Sequence, residues 1–172
     1  VVTALELDRP SAIRYPRGEG ANPPDVEPAA LRVGKGELLR SGDGVAVIAI
    51  GGMVGPALAA AQLLAQQGIE AAVVNGRFVK PLDGELICDL ARACGQVVTV
   101  EENAAAGGFG SAVGELLQHH GLCVPLLPLG LPDRFIEHGS RETQLADVGL
   151  DPKGIATRVA SFVRTGEPTP SR

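Results

Sequence analysis

The stretch Val97–Leu117 reads VVTVEENAAAGGFGSAVGELL and indicates the fold class of the whole chain. Its first four residues are mostly β-branched and apolar, which is typical of a strand that is buried on both faces. After the acidic pair Glu101-Glu102 and a glycine-rich turn, apolar residues recur at helical spacing, namely Phe109, Ala112, Val113, Leu116 and Leu117. A strand, a charged tip, a turn and an amphipathic helix form half of a βαβ unit. In parallel sheets, ligands and partners usually bind at such tips.

The same alternation of strand and helix recurs elsewhere in the chain. Strands are predicted at Val45–Ile50 and Ala71–Asn75; a helix at about Val54–Gln67 follows the first, and a helix capped by Asp83 follows the second. A last strand, Cys123–Leu129, contains Pro125 and is therefore expected to lie at a sheet edge or to start at this proline. We expect an α/β fold of three layers, with a five-stranded, mostly parallel sheet, one antiparallel strand and helices on both faces.

The antiparallel strand is predicted at Glu37–Arg40, because the glycines that follow it suggest a hairpin with the next strand. Near the start, a helix is expected to end by Leu7, and Ser11–Tyr15 is predicted to form a short strand. Near the end, Ser140 and Asp151 are predicted to cap two further helices.

Composition excludes several classes of function. The chain has 172 residues, 45% of them hydrophobic, and a net charge of -5. This charge argues against a dominant nucleic-acid-binding surface, which needs a basic patch. No apolar run is long enough to span a membrane. Cys88, Cys94 and Cys123 show no metal-site spacing and are interpreted as small core residues in a reducing, cytoplasmic compartment. Residue 1 is Val and the only Met is Met53, so we expect the chain to be a piece of a longer protein.

The glycine turn and the acidic pair allow two kinds of interpretation. Gly108 and Gly110 begin a G-x-G-x-x-G pattern whose third glycine is replaced by Val113, so close helix–strand packing is favoured over nucleotide binding. Binding of a small anion around Gly107–Ser111 remains open. The carboxylates of Glu101 and Glu102 should point to opposite faces of a strand, which favours a salt bridge or a solvated tip over an acid–base pair.

The histidines give weak signals. His119 and His120 end an amphipathic helix, where a cation interacts favourably with the helix dipole. His138 lies in a predicted loop, where binding residues concentrate, but no nucleophile or second ligand lies near it in sequence. No metal site is predicted.

Arg14, Tyr15 and Arg17 form the most suggestive cluster. Two guanidinium groups and a phenol at the end of a strand could hold a phosphate or a carboxylate, because arginine offers a planar, bidentate set of donors. The alternative is an ion pair that holds two domains together. Spacing does not decide between the two.

Five stretches stand in the order found in the transketolase family of thiamine-diphosphate enzymes, and the chain resembles that family from about Thr3 to Val163. The resemblance is strongest to the branch that condenses pyruvate with glyceraldehyde 3-phosphate. Gly52 and Gly76 depart from the family pattern, in which a hydroxyl residue and an alanine are usual. The matching stretches are SAIRYPRG (11–18), RFVKPLD (77–83), VTVEEN (98–103), GGFGS (107–111) and GLPDRFIEHG (130–139).

The resemblance implies a division of the chain. Residues 1–20 would be the tail of a pyrimidine-binding domain and 21–35 a linker. Residues 31–165 would form the C-terminal domain, and 166–172 a frayed tail. It also implies that Arg17 contacts the substrate phosphate, with Tyr15 and Arg14 as weaker neighbours.

The resemblance further implies the activity of a complete, homodimeric enzyme. That enzyme would use thiamine diphosphate and magnesium to form 1-deoxy-D-xylulose 5-phosphate with loss of carbon dioxide, a precursor of isoprenoids, thiamine and pyridoxal. Pyruvate and glyceraldehyde 3-phosphate would be its substrates. No catalytic, cofactor-binding or metal-binding residue is expected in this chain, which is predicted to be inactive alone. The alternatives are the C-terminal domain of another family member, a free-standing anion-binding module, and a purely structural interface domain.

Overall fold

The computed structural model describes residues 1–16 and 27–166. Five strands run in chain order as β1 (Glu37–Arg40), β2 (Val45–Ala49), β3 (Ala71–Asn75), β4 (Val97–Ala104) and β5 (Leu126–Leu131). The helices are α1 (Val2–Glu6), α2 (Val54–Ala65), α3 (Gly84–Cys94), α4 (Phe109–His119), α5 (Arg141–Asp147) and α6 (Pro152–Thr165), and a short 3-10 turn spans Gly51–Met53.

The five strands form one mixed sheet in the order β1-β3-β2-β4-β5. β2 pairs in parallel with β3 and β4, and β4 pairs in parallel with β5, whereas β1 is antiparallel to β3. Every residue of β2 is buried, which suits its central place. β5 lies at an edge, as predicted, and it starts directly after Pro125 and contains Pro128. The expected fold class, with one antiparallel strand, is confirmed.

Two apolar cores lie on opposite faces of the sheet. On one face, α2, α5 and α6 pack through side chains such as Leu64, Leu145 and Phe162. On the other face, α3 and α4 pack through Ile87 and Phe109. The alternation of side chains along β2 supplies both cores, and the chain therefore has the three layers predicted from the sequence.

The predicted helix caps are present. The side chain of Asp83 accepts a hydrogen bond from the Leu86 amide, and Ser140 and Asp151 cap α5 and α6 in the same way. These caps fix where α3, α5 and α6 begin. Among the described residues, no helix is both long and apolar enough to cross a membrane.

The predicted hairpin between the first two strands is wrong. β3 lies between β1 and β2, and the connecting turn passes over the start of β3, where the Gly44 amide donates to the Glu70 carbonyl. A Cβ atom on Gly42 would lie 2.5 Å from the Ala71 carbonyl carbon. The glycines of this turn therefore allow the chain to pass close over the neighbouring strand β3. They do not form a tight hairpin between β1 and β2.

Other local predictions also need correction. Residues 11–16 form no strand among the described residues, so Ser11–Tyr15 was assigned wrongly. β4 runs four residues beyond Val100. β5 begins and ends later than predicted, and Gly130, which was expected in a loop, belongs to this strand. Cys88 is buried as expected, but Cys123 is exposed and is not a core residue.

Candidate functional site

The end of β4 carries two acidic residues whose side chains contact other elements of the domain. Val100 pairs with Leu129 of β5, but the next paired residues are Ala104 and Leu131, so β4 contains extra residues at this point. An irregularity of this kind re-aims side chains and is common beside functional sites. Here it lies across Glu101 and Glu102, whose side chains have separate surroundings.

Glu101 is only 2% exposed and caps α4 from outside that helix. Its carboxylate accepts hydrogen bonds from the amides of Phe109 and Gly110, both at 2.8 Å. These amides are among the first of the helix, which have no partner inside it. The negative charge also lies at the positive end of the helix dipole. Glu101 is therefore neither a salt bridge nor a solvated tip, the two roles expected from the sequence.

The glycine turn allows this close approach. Gly107 has a φ of +72°, a conformation that glycine adopts without strain, and its amide donates to the Ser111 hydroxyl at 2.9 Å. A Cβ atom on Gly110 would lie 2.5 Å from the Thr99 hydroxyl. The geometry agrees with the close-packing interpretation. The amides of Phe109 and Gly110, which a bound anion would need, are already bound by Glu101.

Glu102 forms an ion pair with Arg141, the first residue of α5. Nε and Nη2 of Arg141 donate to Oε1 and Oε2 of Glu102 at 2.9 and 2.5 Å, which is a bidentate arrangement. The two side chains are 25% and 32% exposed, for Glu102 and Arg141 respectively. The hydrogen bond and charge of Glu102 raise the pKa of the Arg141 guanidinium, although burial opposes this.

Glu102 also contacts the N-terminal segment of the chain. Nη2 of Arg14 donates to the backbone carbonyl of Glu102 at 2.9 Å. Close by, a Cβ atom on Gly52 would lie 2.8 Å from Nη2 of Arg141, 3.4 Å from Oε2 of Glu102 and 3.6 Å from Cγ of Pro16. Gly52 is thus the point where the ion pair and the N-terminal segment converge. We call Arg14, Pro16, Gly52, Glu102 and Arg141 the strand-tip cluster.

The model of the family described as transketolase, C-terminal domain, matches residues 34–155, which is more than half of the chain. The chain belongs to the transketolase C-terminal domain family. The match covers the five-stranded sheet and the strand-tip cluster except for its N-terminal residues Arg14 and Pro16.

Curated relatives of this transketolase C-terminal domain include proteins named 1-deoxy-D-xylulose-5-phosphate synthase. The chain is 51% identical to the 1-deoxy-D-xylulose-5-phosphate synthase of Thermomicrobium roseum over 167 residues, which cover 96% of the chain and 27% of that protein. It is also 51% identical to 1-deoxy-D-xylulose-5-phosphate synthase 1 of Geobacter sulfurreducens, over 98% of the chain and 27% of that protein. The chain therefore spans about a quarter of the length of these relatives.

Solved structures agree with the family. A structure described as a split gene transketolase, inactive beta4 tetramer, has a TM-score of 0.76 and 34% sequence identity, over 84% of this chain and 48% of that one. A complex of Pichia stipitis transketolase with sedoheptulose 7-phosphate has a TM-score of 0.53 at 22% identity, over 79% of this chain and 19% of that one. The second likeness concerns the fold alone.

The residues proposed from the sequence are not all brought together in this transketolase C-terminal domain. Arg14 reaches the strand-tip cluster, where it binds a backbone carbonyl and not a carboxylate. Tyr15 is 80% exposed, and Arg17 lies outside the described residues. His138 is exposed in the loop before α5.

His119 and His120 stack edge to face at the end of α4, with ring centroids 5.5 Å apart. The described residues contain no group of three His, Cys, Asp or Glu side chains that could hold a metal ion.

Two members of the strand-tip cluster were missed by sequence reasoning. Arg141 follows the helix cap Ser140, but nothing in the sequence indicates that it pairs with a residue 39 positions earlier. Gly52 was noticed only as a departure from the family pattern. The structure shows what its small size permits: the guanidinium of Arg141 lies where a Cβ atom would be too close.

Proposed function

We propose that this chain forms the C-terminal part of a 1-deoxy-D-xylulose-5-phosphate synthase. The observation that carries the proposal is 51% identity over 96% of the chain to a protein of that name. The complete enzyme would condense pyruvate with glyceraldehyde 3-phosphate and release carbon dioxide. The lower identity of 34% to the split gene transketolase makes another branch of the family the weaker alternative.

Thiamine diphosphate and magnesium would be cofactors of the complete enzyme, but the described residues do not fit them. Magnesium takes oxygen ligands, and the diphosphate needs free donors, for which a helix N-terminus is a ready site. In the part of the chain that the structure describes, no suitable group of acidic side chains gathers. The N-terminal amides of α4 are bound by Glu101. We propose that other parts of the complete enzyme bind the two cofactors.

The role proposed for the chain is structural support and phosphate contact. Residues 1–20 would belong to the preceding pyrimidine-binding domain, 21–35 to a linker, 31–165 to the C-terminal domain and 166–172 to a tail. Arg17 would contact the phosphate of glyceraldehyde 3-phosphate, since a guanidinium group can bind phosphate through two parallel hydrogen bonds. The docking of Arg14 at the strand-tip cluster supports this role, because it ties the segment before Arg17 to a fixed surface. A cytoplasmic homodimer completes the proposal.

Kinetics of the complete protein test this role. Arg17→Ala should raise KM for glyceraldehyde 3-phosphate by roughly ten- to a hundredfold and leave KM for pyruvate unchanged, because one charge-assisted contact is lost. Arg92→Ala is the matched control, since Arg92 is an exposed arginine on α3 and should change neither constant. Equal losses for both substrates would contradict the assignment of Arg17. Absence of product from the unsubstituted protein would contradict the proposed function itself.

A further inference from the structure

The N-terminal segment reaches the strand-tip cluster through few contacts. Arg14 donates to the Glu102 carbonyl, and Pro16 lies beside Gly52. Residues 11–16 form no strand pairing among the described residues, so these contacts fix the segment where no backbone ladder does. The position of the segment therefore depends on how well the end of β4 is held.

Arg141 holds the end of β4 in place. Its guanidinium binds both carboxylate oxygens of Glu102, which restricts the side chain and the backbone to which it is attached. The carbonyl of that same residue is the acceptor for Arg14. Arg141 therefore acts on the carbonyl of Glu102 and not on Arg14 directly. No described hydrogen bond joins the two arginines.

Gly52 leaves the space that the guanidinium of Arg141 occupies in this chain, at a position where the family usually has a hydroxyl residue. The nearest atom to a Cβ there is Nη2 of Arg141, the far end of a flexible side chain, at 2.8 Å. An added methyl group would therefore displace the guanidinium and not the backbone. The φ of Gly52 is not in the left-handed region, so alanine is compatible with the backbone at this position.

We propose that Gly52, Glu102 and Arg141 are positioning residues that dock the segment 11–16 on the end of β4. Where the chain acts as the synthase part described above, this docking also supports the contact that is proposed between Arg17, the residue after Pro16, and the substrate phosphate. The second statement rests on the proposed function, whereas the first does not. The ligand affected would be a substrate that carries a phosphate group, namely glyceraldehyde 3-phosphate.

Tyr15 is a built-in reporter of the docking. It is the only tyrosine, the chain has no tryptophan, and the residue lies next to Arg14. Its side chain is 80% exposed, so its own packing does not fix it. Time-resolved tyrosine fluorescence anisotropy of the 172-residue chain should contain a slow component in which Tyr15 tumbles with the domain. Undocking should replace that component by fast local motion.

Gly52→Ala and Gly55→Ala are a matched pair of variants. A Cβ on Gly52 meets Arg141, whereas a Cβ on Gly55, three residues further along the chain in α2, has no atom within 4 Å. We expect the slow component to be lost in Gly52→Ala and kept in Gly55→Ala. Glu102→Gln should also lose it, because the amide weakens the bidentate pair and keeps the carbonyl that Arg14 binds.

Each outcome decides part of the proposal. A slow component that is absent from the unsubstituted chain overturns the docking. A slow component that is kept in both Gly52→Ala and Glu102→Gln overturns the positioning role of these residues. Loss in Glu102→Gln alone overturns the part assigned to Gly52. Loss in Gly55→Ala as well would mean that any change near the start of α2 frees the segment, and this also overturns the specific role. Circular dichroism of each variant establishes that the domain is folded.

Steady-state kinetics of the complete protein test the link to substrate. Gly52→Ala should raise KM for glyceraldehyde 3-phosphate by about three- to tenfold, the range of one partly exposed hydrogen bond, and leave kcat and KM for pyruvate unchanged. Gly55→Ala should change none of them. An unchanged KM in a protein that forms product overturns the link and leaves the docking result intact. If the unsubstituted protein forms no product, the proposed function fails, and the Tyr15 measurement still decides the docking.

Discussion

Glu101 and Glu102 are consecutive carboxylates at the end of β4, and they belong to two different kinds of structure. Glu101 is buried and binds two backbone amides of α4. Glu102 is partly exposed and binds the side chain of Arg141, while its carbonyl receives Arg14. The first joins elements of the core, and the second joins the domain to a peripheral segment.

The comparison teaches that burial and the type of partner decide the effect of a charge. Amides at a helix N-terminus have no partner inside the helix, so losing the Glu101 carboxylate leaves the buried donors of Phe109 and Gly110 unsatisfied. A partly exposed guanidinium can turn to water when its partner is removed. The fold should therefore depend on Glu101, and the position of the N-terminal segment on Glu102.

The largest effect is expected from Glu101→Gln. The substitution keeps the size of the side chain but replaces one acceptor oxygen by an NH2 group. An NH2 group cannot accept a hydrogen bond from a backbone amide. The substitution should lower the free energy of unfolding by about 2–3 kcal/mol, since two charge-assisted bonds are weakened in a buried place. For a domain of this size, that corresponds to a fall in Tm of roughly 5–10 °C. Denaturant titration and thermal melting measure both quantities.

Glu115→Gln is the control for that substitution. Glu115 lies on the same helix, α4, but its side chain is exposed. An exposed change of this kind should alter stability by less than about 0.5 kcal/mol. If the two variants were equally stable, the carboxylate of Glu101 would not be the cap on which α4 depends.

Asp83 combines the two roles in one carboxylate, since it caps a helix and also forms an ion pair. Its carboxylate caps α3 through the Leu86 amide and also accepts from the Gly36 amide and the Lys35 ammonium group. Asn can replace Asp as a helix cap but not as an ion-pair partner. Asp83→Asn should therefore cost about 1 kcal/mol at neutral pH, less than Glu101→Gln. Asp89→Asn, an exposed change on the same helix, is its control.

The pH dependence of the Asp83 effect has a definite sign. Burial alone would raise the pKa of Asp83, but the hydrogen bonds from Gly36, Leu86 and Lys35 outweigh it and lower the pKa below the ordinary value of 3.8. A carboxyl whose pKa is lower in the folded state stabilises the fold above its unfolded pKa. The difference between Asp83→Asn and the unsubstituted chain should be constant above pH 5 or so and shrink below about 3.8. A difference that grows on acidification would contradict this assignment.

Much of the fold could be predicted because it depends on local signals. Periodicity located β3 at its observed bounds, and Asp83, Ser140 and Asp151 are caps whose chemistry is visible in the sequence. The order of the strands could not be predicted in the same way. The turn after β1 has the composition of a hairpin, and only the packing of Gly42 over the start of β3 shows that it crosses another strand.

The site was less accessible to prediction, because its contacts are long-range. The alternation rule correctly separated Glu101 from Glu102, and a salt bridge for Glu102 is confirmed by Arg141. The rule could not foresee that the inward carboxylate would cap the following helix. Arg14 was suggested by its residue type, but its partner is a backbone carbonyl, which carries no signal in the sequence.

Among the three substitutions that remove a carboxylate contact, Glu102→Gln is expected to have the smallest effect on stability, and its dependence on salt separates it from Glu101→Gln. Glu102 and Arg141 are 25% and 32% exposed, so the substitution should cost less than about 1 kcal/mol at low salt. Ions at about 1 M screen charges within roughly 3 Å, so that cost should largely disappear in 1 M sodium chloride. The cost of Glu101→Gln should persist there, because its partners are buried amides from which water and ions are excluded. Denaturant titrations with urea at the two salt concentrations measure both. Equal salt dependence of the two variants would mean that the neighbouring carboxylates share one environment, and the distinction between fold and docking would be lost.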